Sequence, residues 1–304
     1  MHSVHSDGEL TPLQLSAAAR SLGLDFVATT DHNTAAAHLP WMDVAGDGLL
    51  VIRGEEVTTG DGHWLALGIA VGEVINWQYT ARDNEVARSM DQVHKAAGLC
   101  VVAHPHAPYP SGSFRYPHDG FDAVEVWNGQ WTSNLPWQTD NETALNHWAN
   151  TLITDIPHGR WMPAMGNSDT HLAGQLGHPH TVVVADRPTT ADILTSIAAG
   201  RIWISASPTI ELSFTATSHG HCAKIGDVLA THGEPPLVHV AVKGLDSGTI
   251  TIYTDIEEVH RAHISPNEIT HLHFRVSAEH LFVRVEVRSP TGQMAALTNP
   301  IILG

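Results

Sequence analysis

Five short clusters of histidine and carboxylate residues lie between the N-terminus and His171. In chain order they are His2-Ser3-Val4-His5-Ser6-Asp7, Thr30-Asp31-His32, Gly54-Glu55-Glu56 with the nearby His63, Ala103-His104-Pro105-His106, and Asn167-Ser168-Asp169-Thr170-His171. Imidazole and carboxylate groups bind hard and borderline divalent ions, and none of the clusters contains a cysteine. The clusters therefore predict a metal centre that binds divalent ions such as Zn²⁺, Mn²⁺ or Fe²⁺.

Each cluster also has an ordinary structural interpretation, such as a helix cap, a solvated glutamate or a buried hydrogen-bonded histidine. Glu56 is the predicted metal-bridging carboxylate, and Glu55 is its competitor. Asp31 is expected to support His32 as a hydrogen-bonded carboxylate behind a ligand. Asp169 and His171 are the most specific pair, because residues two apart at a strand end point to the same side. All five clusters in this order favour metal chemistry.

Histidine is unusually frequent, with 23 residues in 304, and it is the commonest transition-metal ligand. The histidines after Ser205 form no compact motif beside carboxylates and are interpreted as polar surface residues. Cys100 and Cys222 are far apart in the sequence. They predict neither a disulfide framework nor a thiolate metal site.

Short apolar runs alternate with helical segments over the first two-thirds of the chain. Strands are predicted at 26–30, 49–52, 64–69, 99–103, 123–127, 162–166 and 181–184, and helices at 13–22, 85–97, 143–152 and 190–199. This alternation predicts an α/β fold with a largely parallel sheet, either open or closed into a barrel. Each ligand cluster is expected at or just beyond a strand end, where such folds place their active sites.

The pattern changes near Ser207-Pro208. Beyond it, short alternating strands are separated by turns such as Gly244-Leu245-Asp246-Ser247-Gly248, and no long helix is predicted. This pattern is typical of a small β-sandwich. The sequence therefore predicts a metal-binding domain at residues 1–205 and an accessory all-β domain at residues 206–304.

The ordered set of motifs resembles the PHP (polymerase and histidinol phosphatase) family over roughly residues 2–205. The resemblance implies a distorted (β/α)7 barrel that holds up to three metal ions. The segments Gly177-His178-Pro179-His180-Thr181 and Leu297-Thr298-Asn299-Pro300-Ile301 resemble a branch that includes carbaryl-hydrolase-like proteins. Members of that branch carry a C-terminal β-sandwich and are often described only as metal-dependent phosphoesterases.

The resemblance also implies roles for individual residues. The implied ligands are His2 and Asp169 for the first metal, Glu56 as a bridge, His63 and His104 for the second metal, and Asp7, His32 and His171 for the third. The first motif of the family has two histidines separated by one residue, then an aspartate five residues after the second. His2 and Asp7 match the second histidine and the aspartate. The first histidine would fall just before Met1, so either the true start lies upstream, the chain was trimmed, or the histidine has been lost. If this exact chain is what folds, the first metal is expected to have one ligand fewer.

The predicted reaction is hydrolysis of a small phosphate ester by a hydroxide that two metal ions share. The residues expected to act in catalysis are Glu56, His104, His106 and Asp169. His106 either protonates the leaving group, contacts the substrate or simply packs. A phosphate could be contacted by any of four arginines, each of which is equally well explained as a surface residue: Arg53, Arg115, Arg160 and Arg201.

Two other functions are compatible with the sequence. The same centre could hydrolyse a carboxylester or carbamate, which the tryptophans before residue 162 slightly favour because an aromatic pocket suits an apolar leaving group. Alternatively, the chain is a non-catalytic binding protein with a degenerate metal site. Turnover of phosphate esters against acetate or carbamate esters, together with metal content, distinguishes the three.

The formal net charge of −17 argues against nucleic-acid binding, because a phosphate backbone would be repelled. Bound metal ions could still reverse the charge locally, so the predicted partner is a small anionic substrate. No apolar run approaches the roughly 20 residues of a membrane span. The expected location is the cytoplasm, or outside it if a leader has been removed, and the sequence does not predict the oligomeric state.

Overall fold

Six strands from the first half of the chain form one sheet in sequence order. The computed structural model describes all 304 residues. The strands are β1 (Phe26–Thr29), β2 (Leu50–Thr59), β3 (Gly62–Leu67), β4 (Leu99–Val102), β5 (Ala123–Asn128) and β6 (Ala164–Asn167). Three of the five neighbouring pairs are parallel, whereas β2–β3 and β3–β4 are antiparallel. The sheet is thus mixed, and less parallel than predicted.

Five helices lie before, between and after these strands. They are α1 (Pro12–Ser21), α2 (His38–Val44), α3 (Glu85–Lys95), α4 (Asn141–Asp155) and α5 (Thr190–Ala198), with a 3-10 turn at Ile156–His158. Thr11 begins α1 through a reciprocal capping interaction with Gln14, and Pro12 fits the first turn. Helix α2 was not predicted, since it is short and has no side-chain cap. None of the helices is long and apolar enough to span a membrane.

Strand β2 runs much further than the predicted 49–52. It continues through Glu55 and Glu56 to Thr59 and returns directly as β3, so the two strands form an antiparallel hairpin. Gly62, the first residue of β3, has φ +130°, and a Cβ there would come within 2.8 Å of the Cα of Phe114. Glu56 and His63 therefore lie inside the strands of a hairpin, and the expectation that every cluster follows a strand end is wrong for these two residues.

The six-stranded sheet curls without closing. The next strand, β7 (His180–Val183), pairs antiparallel with β8 (Ile202–Ser205) and has no main-chain pairing with β1 or β6. A cavity of about 1020 Å³ separates β1 from β7, and Glu56, His104 and Asp169 form part of its wall. The structure is an α/β half-barrel, and a closed seven-stranded barrel is not confirmed.

The rest of the chain contains only strands. They are β9 (Glu211–Ser218), β10 (His221–Lys224), β11 (Val228–Leu229), β12 (Leu237–Lys243), β13 (Thr249–Thr254), β14 (Glu258–His263), β15 (Thr270–Arg275), β16 (Phe282–Arg288), β17 (Met294–Thr298) and β18 (Ile301–Leu303). A four-stranded sheet has the order β10-β9-β12-β15. An eight-stranded sheet has the order β11-β18-β16-β17-β8-β7, with β13 also paired to β16 and β14 paired to β13. The two sheets share a core of 22 buried residues. This region contains only strands, as the sequence predicted. That it forms a sandwich independent of the first region stays a prediction, because β7 and β8 belong to the larger sheet.

The two regions of the chain are joined at β8. This strand pairs with β17, so the predicted boundary near residue 206 falls within a continuous sheet. The buried Asn299 side chain accepts a hydrogen bond from the amide of Ala164 (2.8 Å) and donates to the carbonyls of Ala164 (3.0 Å) and Ile202 (3.1 Å). Asn299 thereby satisfies main-chain groups on the outer edge of β6. The division into two separate domains stays a prediction.

The Asn299→Ala variant is expected to unfold more easily than the wild type. The substitution leaves buried amide and carbonyl groups of Ala164 and Ile202 without partners, which should lower the free energy of unfolding by about 2–4 kcal/mol. Urea denaturation measures the difference. Asn84→Ala is a suitable control, because Asn84 is exposed and its side chain caps nothing. Equal stability of the two variants would contradict a structural role for Asn299.

Candidate metal centre

The N-terminal residues lie between the ends of β1 and β6. The amide of His2 donates to the carbonyl of Thr170 (2.8 Å), and the amide of Thr30 donates to the carbonyl of Met1 (3.1 Å). Asp31 fixes the following turn by accepting hydrogen bonds from the amide of Ser3 and from the hydroxyl of Ser6, both at 2.7 Å. These contacts place the buried His2 side chain beside the loops that follow the two strands.

Asp31 does not support His32, contrary to the sequence prediction. Its carboxylate is used by the N-terminal turn, and Nδ1 of His32 instead lies 2.5 Å from Oγ1 of Thr58 on β2. The reason is that β2 extends past Glu56, which brings Thr58 next to His32. The imidazole is therefore oriented by a threonine hydroxyl rather than by a carboxylate.

Glu56 lies at the centre of a group of imidazoles. Its Oε1 is 2.8 Å from Nδ1 of His63 and 3.2 Å from Nε2 of His104, and its Oε2 is 3.0 Å from Nε2 of His2. Burial alone would raise the pKa of the Glu56 carboxyl, but the hydrogen bonds from His104, His2 and His63 lower it well below its ordinary value. Glu56 is thus an ionised carboxylate at the bottom of the site.

Glu55 points away from this group. Its Oε2 accepts the amide hydrogen of Ile75 (2.9 Å), and burial raises the pKa of its carboxyl to about 7. Consecutive residues of a strand face opposite sides of the sheet, so only one of the two glutamates can reach the histidines. The geometry favours Glu56 over its competitor.

His2 and Asp169 form the second part of the cluster. Nε2 of His2 is 3.0 Å from Oδ1 of Asp169. Burial lowers the pKa of both His2 and His104, but the neighbouring carboxylates reverse this and raise each pKa to about 9. The pKa of Asp169 is lowered chiefly by the hydrogen bond from His2, against the opposing effect of burial. Without metal, the positive charges of the imidazolium groups therefore balance the negative charges of the carboxylates.

Asp7, His32 and His171 form an outer part that faces solvent. The carboxylate of Asp7 is 3.4 Å from Nε2 of His171 and 3.6 Å from Nε2 of His32, and its side chain is 58% exposed. The His2 ring stacks on His32 and His171, with centroid separations of 4.3 Å and 4.1 Å. The cluster thus extends from the buried Glu56 to an open surface.

The side chains present fit divalent metal ions. Three groups have donor atoms that all lie within 4.8 Å of one another: His2, Glu56 and Asp169; His32, Glu56 and His63; and His2, Asp7, His32 and His171. The buried ring nitrogens His2 Nδ1, His63 Nε2 and His104 Nδ1 have no hydrogen-bond partner, which is unusual unless another ligand is bound. All eight residues predicted as ligands are brought together, and their individual metal-binding roles stay a proposal.

Two of these residues have an uncommon backbone conformation. His104 has φ 27° and Asp169 has φ 46°, in the left-handed region that L-residues rarely adopt. Such strain persists only where surrounding contacts enforce it, and it is concentrated at functional sites. The sequence gives no indication of this strain.

Glu125 connects the loops that carry these two residues. Its Oε2 accepts hydrogen bonds from the amide of His104 (2.8 Å) and the side chain of Asn128 (3.0 Å), and its Oε1 accepts one from Asn167 (2.8 Å). Burial raises the pKa of Glu125 to about 7. Glu125 is not among the residues predicted from the sequence, although a glutamate inside the apolar run Ala123-Val124-Glu125-Val126-Trp127 is a usable signal.

The Glu125→Gln variant is expected to bind divalent metal about 10–100-fold more weakly than the wild type. A carboxylate accepts all three hydrogen bonds, whereas the NH₂ group of glutamine would face another donor and release either His104 or Asn167. Titration of the metal-free protein with Zn²⁺ against a chromogenic chelator measures the change. Glu85→Gln serves as the control, since Glu85 only pairs with Arg88 on the surface. Unchanged affinity would show that Glu125 does not position the site.

His106 and the four candidate arginines do not contact the cluster. The ring of His106 lies 5.7 Å from that of His147 on α4. Arg53 donates to the carbonyl of Ile69, Arg115 pairs with Asp61, and Arg201 lies 3.7 Å from Asp227. Arg160 likewise makes no side-chain hydrogen bond or ion pair with any of the eight residues. No basic side chain other than histidine therefore contacts the cluster.

The PHP-associated family model matches residues 147–202, from α4 to β8. The match covers 56 of the 304 residues and agrees there with the resemblance of the sequence motifs to the PHP family. No curated protein matches the chain significantly.

Two solved structures are similar to parts of the chain. One is a proposed metal-dependent phosphoesterase from Bifidobacterium adolescentis, with 22% identity, a TM-score of 0.39, and coverage of 56% of this chain and 85% of that one. The other is an amidohydrolase from Chromobacterium violaceum with bound sulfate and no metal, with 19% identity, a TM-score of 0.41, and coverage of 68% and 96%. Both TM-scores are below 0.5, so the functional proposals rest on the residues of this chain.

Proposed function

We propose that the chain is a metal-dependent hydrolase that cleaves a small phosphate ester. The observation that carries this proposal is the cluster around Glu56, in which five imidazoles and three carboxylates converge between a buried floor and a solvent-exposed edge. Eight potential ligands are more than one metal ion needs, and they suit a centre of two or three ions. Multi-metal centres are characteristic of enzymes that hydrolyse phosphate esters.

The residues divide naturally by position. His2, Glu56 and Asp169 would hold one ion, Glu56 with His63 and His104 a second, and Asp7, His32 and His171 a third. When bound, the ions lower the pKa of a water molecule and neutralise charge on phosphoryl oxygens. The buried Glu56 would hold the imidazoles of His2, His63 and His104 in place. Asp7, His32 and His171 lie on the solvent-facing side, where a substrate would enter.

The charge distribution favours a phosphate substrate only when metal is bound. The chain has a formal net charge of −17, and no arginine or lysine contacts the cluster. An anionic substrate would therefore be repelled by the metal-free protein, and a loaded centre would provide the attraction. Phosphate binding is expected to depend strictly on prior loading with metal.

Four of the tryptophans give no support to the carboxylester or carbamate alternative. Trp41, Trp64, Trp127 and Trp148 are almost fully buried in hydrophobic cores rather than placed around the metal-binding residues. Their aromatic area therefore stabilises the fold and does not form an apolar pocket for a leaving group. Phosphate-ester hydrolysis is the function that the geometry supports best.

A substrate panel on the metal-loaded chain tests this proposal. Phosphate release from p-nitrophenyl phosphate and from nucleotides is compared with turnover of p-nitrophenyl acetate and a naphthyl carbamate, with metal content measured on the same sample. Turnover of phosphate esters that disappears in Glu56→Gln supports the proposal. Turnover of only the acetate or carbamate would replace it by the carboxyl-ester reaction, and fewer than one ion per chain without any turnover would favour a non-catalytic binding protein.

A further inference from the structure

The loop between β4 and β5 places a tyrosine over the inner histidines. The ring centroid of Tyr109 lies 6.3 Å from the ring of His63 and 6.3 Å from that of His104. Main-chain hydrogen bonds hold the loop, because the amide of Phe114 donates to Pro105 (3.1 Å) and the amide of Ser113 donates to the carbonyl of Tyr109 itself (3.1 Å). The ring is therefore part of an ordered turn beside the metal-binding residues.

Gly112 fixes where this ring lies. A Cβ atom at position 112 would stand 2.1 Å from Cε2 and 2.4 Å from Cζ of Tyr109, far inside van der Waals contact. The ring thus packs directly on the main chain of Gly112, and only glycine leaves room for it. The amide of Gly112 also donates to the carbonyl of Tyr109 (3.0 Å), which closes the turn.

The hydroxyl of Tyr109 is free to donate a hydrogen bond. Tyr116 in the same loop bonds Oγ1 of Thr59 (2.7 Å), and the hydroxyl of Tyr79 accepts from Trp64 (2.9 Å), but the hydroxyl of Tyr109 has no protein partner. Burial, and after it the charges of Glu56, Asp169, Glu125 and Asp7, raise the pKa of this hydroxyl. A phenol is neutral in its ordinary state and has one O–H hydrogen to donate.

We propose that Tyr109 is a substrate-contacting residue whose phenolic O–H donates a hydrogen bond to a phosphoryl oxygen of the substrate bound at the metal cluster. This inference rests on the proposed phosphate-ester function. No arginine or lysine contacts the cluster. The Tyr109 hydroxyl would supply a hydrogen-bond donor that is not itself a metal ligand. A tyrosine hydroxyl donates without adding a positive charge that would compete with metal binding.

The test compares Tyr109→Phe with Tyr116→Phe, each in the metal-loaded full chain. Inorganic phosphate is the probe, with its dissociation constant measured by calorimetry and its inhibition constant measured against p-nitrophenyl phosphate. A hydrogen bond to a charged oxygen predicts phosphate binding about 10–100-fold weaker in Tyr109→Phe, with metal content equal to the wild type. Tyr116→Phe removes a hydroxyl from the same loop and should leave phosphate binding unchanged.

Gly112→Ala provides a second, independent variant. It displaces the Tyr109 ring without removing the hydroxyl, so it should weaken phosphate binding in the wild-type background. In the Tyr109→Phe background it should add little, because the hydroxyl is already absent. Full additivity of the two substitutions would mean that they act through different contacts and would overturn the proposal.

The outcomes also separate this inference from the function on which it rests. If the metal-loaded wild type neither binds phosphate nor hydrolyses phosphate esters, the proposed function fails and the assignment of Tyr109 fails with it. If the wild type does both and Tyr109→Phe matches it in phosphate affinity and kcat/KM, only the assignment of Tyr109 is overturned. If Tyr109→Phe loses activity because it has lost metal, rather than because it binds phosphate more weakly, the assignment of Tyr109 is also overturned.

Discussion

The Glu56→Gln variant is expected to lose tightly bound metal and at least about 100-fold of any metal-dependent hydrolysis, since even indirect contacts to a metal site contribute 10–100-fold. Glu56 is in contact with His2, His63 and His104 at once. The amide has the same shape but no negative charge, and its NH₂ group cannot accept from an imidazole. Mass spectrometry of metal content beside the rate of hydrolysis gives the result.

Glu55→Gln is the matched control for this experiment. The two glutamates are adjacent, are both buried and belong to the same strand, but Glu55 bonds only the amide of Ile75. It should retain its metal and its activity within about twofold, because the substitution changes nothing that touches the cluster. Equal losses in both variants would mean that damage to β2, rather than the carboxylate at position 56, explains the effect.

Metal affinity is expected to rise steeply with pH between about 6.5 and 9. The pKa values of His2 and His104 are raised to about 9 in the metal-free protein, so both imidazoles carry a proton near neutral pH. A metal ion must displace these protons, and each one contributes about tenfold in affinity per pH unit within this range. Competition for Zn²⁺ with a chromogenic chelator at several pH values measures the slope.

His104→Gln should reduce that slope by about one proton, because one titrating ligand is removed. An independent measure is the number of protons released at pH 7, obtained by calorimetry in buffers with different ionisation enthalpies. An affinity that is flat from pH 6.5 to 9 would show that the histidines are already neutral in the metal-free protein. The cluster would then hold its carboxylates without imidazolium partners.

The stability of the metal-free protein should change with pH in the opposite direction. Groups with a raised pKa stabilise the fold fully below their unfolded value, near 6.5 for histidine, and this contribution is lost as the pH rises through about 9. Glu56 and Asp169 have lowered pKa values, so their contribution is lost as the pH falls below the ordinary carboxyl range. Thermal melts of the metal-free chain should therefore show the highest stability at mildly acidic to neutral pH.

The candidate ligand residues could be predicted from the sequence because most of them follow short apolar runs. His32, His104 and Asp169 directly follow strands that periodicity identifies, and the structure brings them together. The β2–β3 hairpin could not be predicted, because the charges of Glu55 and Glu56 interrupt the apolar pattern. Each carboxylate is tolerated inside a buried strand only because it finds partners elsewhere in the fold.

The residues that support the ligands were beyond the reach of local patterns. Glu125 bonds residues 21 and 42 positions away, and Thr58 bonds a histidine 26 positions away. Tyr109 lies in a Pro-rich turn with no sequence feature of a binding residue. Their roles depend on which loops lie close together in the folded chain. The open sheet determines which loops do so, and that sheet was only partly predictable.

The bonds from Asn299 to β6 also have a consequence for how the molecule unfolds. Asp169 follows β6 by two residues, and the edge of that strand is held by a side chain 135 positions further along the chain. Opening of the C-terminal strands therefore removes support from the loop that carries the proposed metal ligand Asp169. We expect the two regions to unfold in one cooperative transition rather than two, so that bound metal raises the melting temperature of the C-terminal strands, although none of them contributes a metal-binding residue.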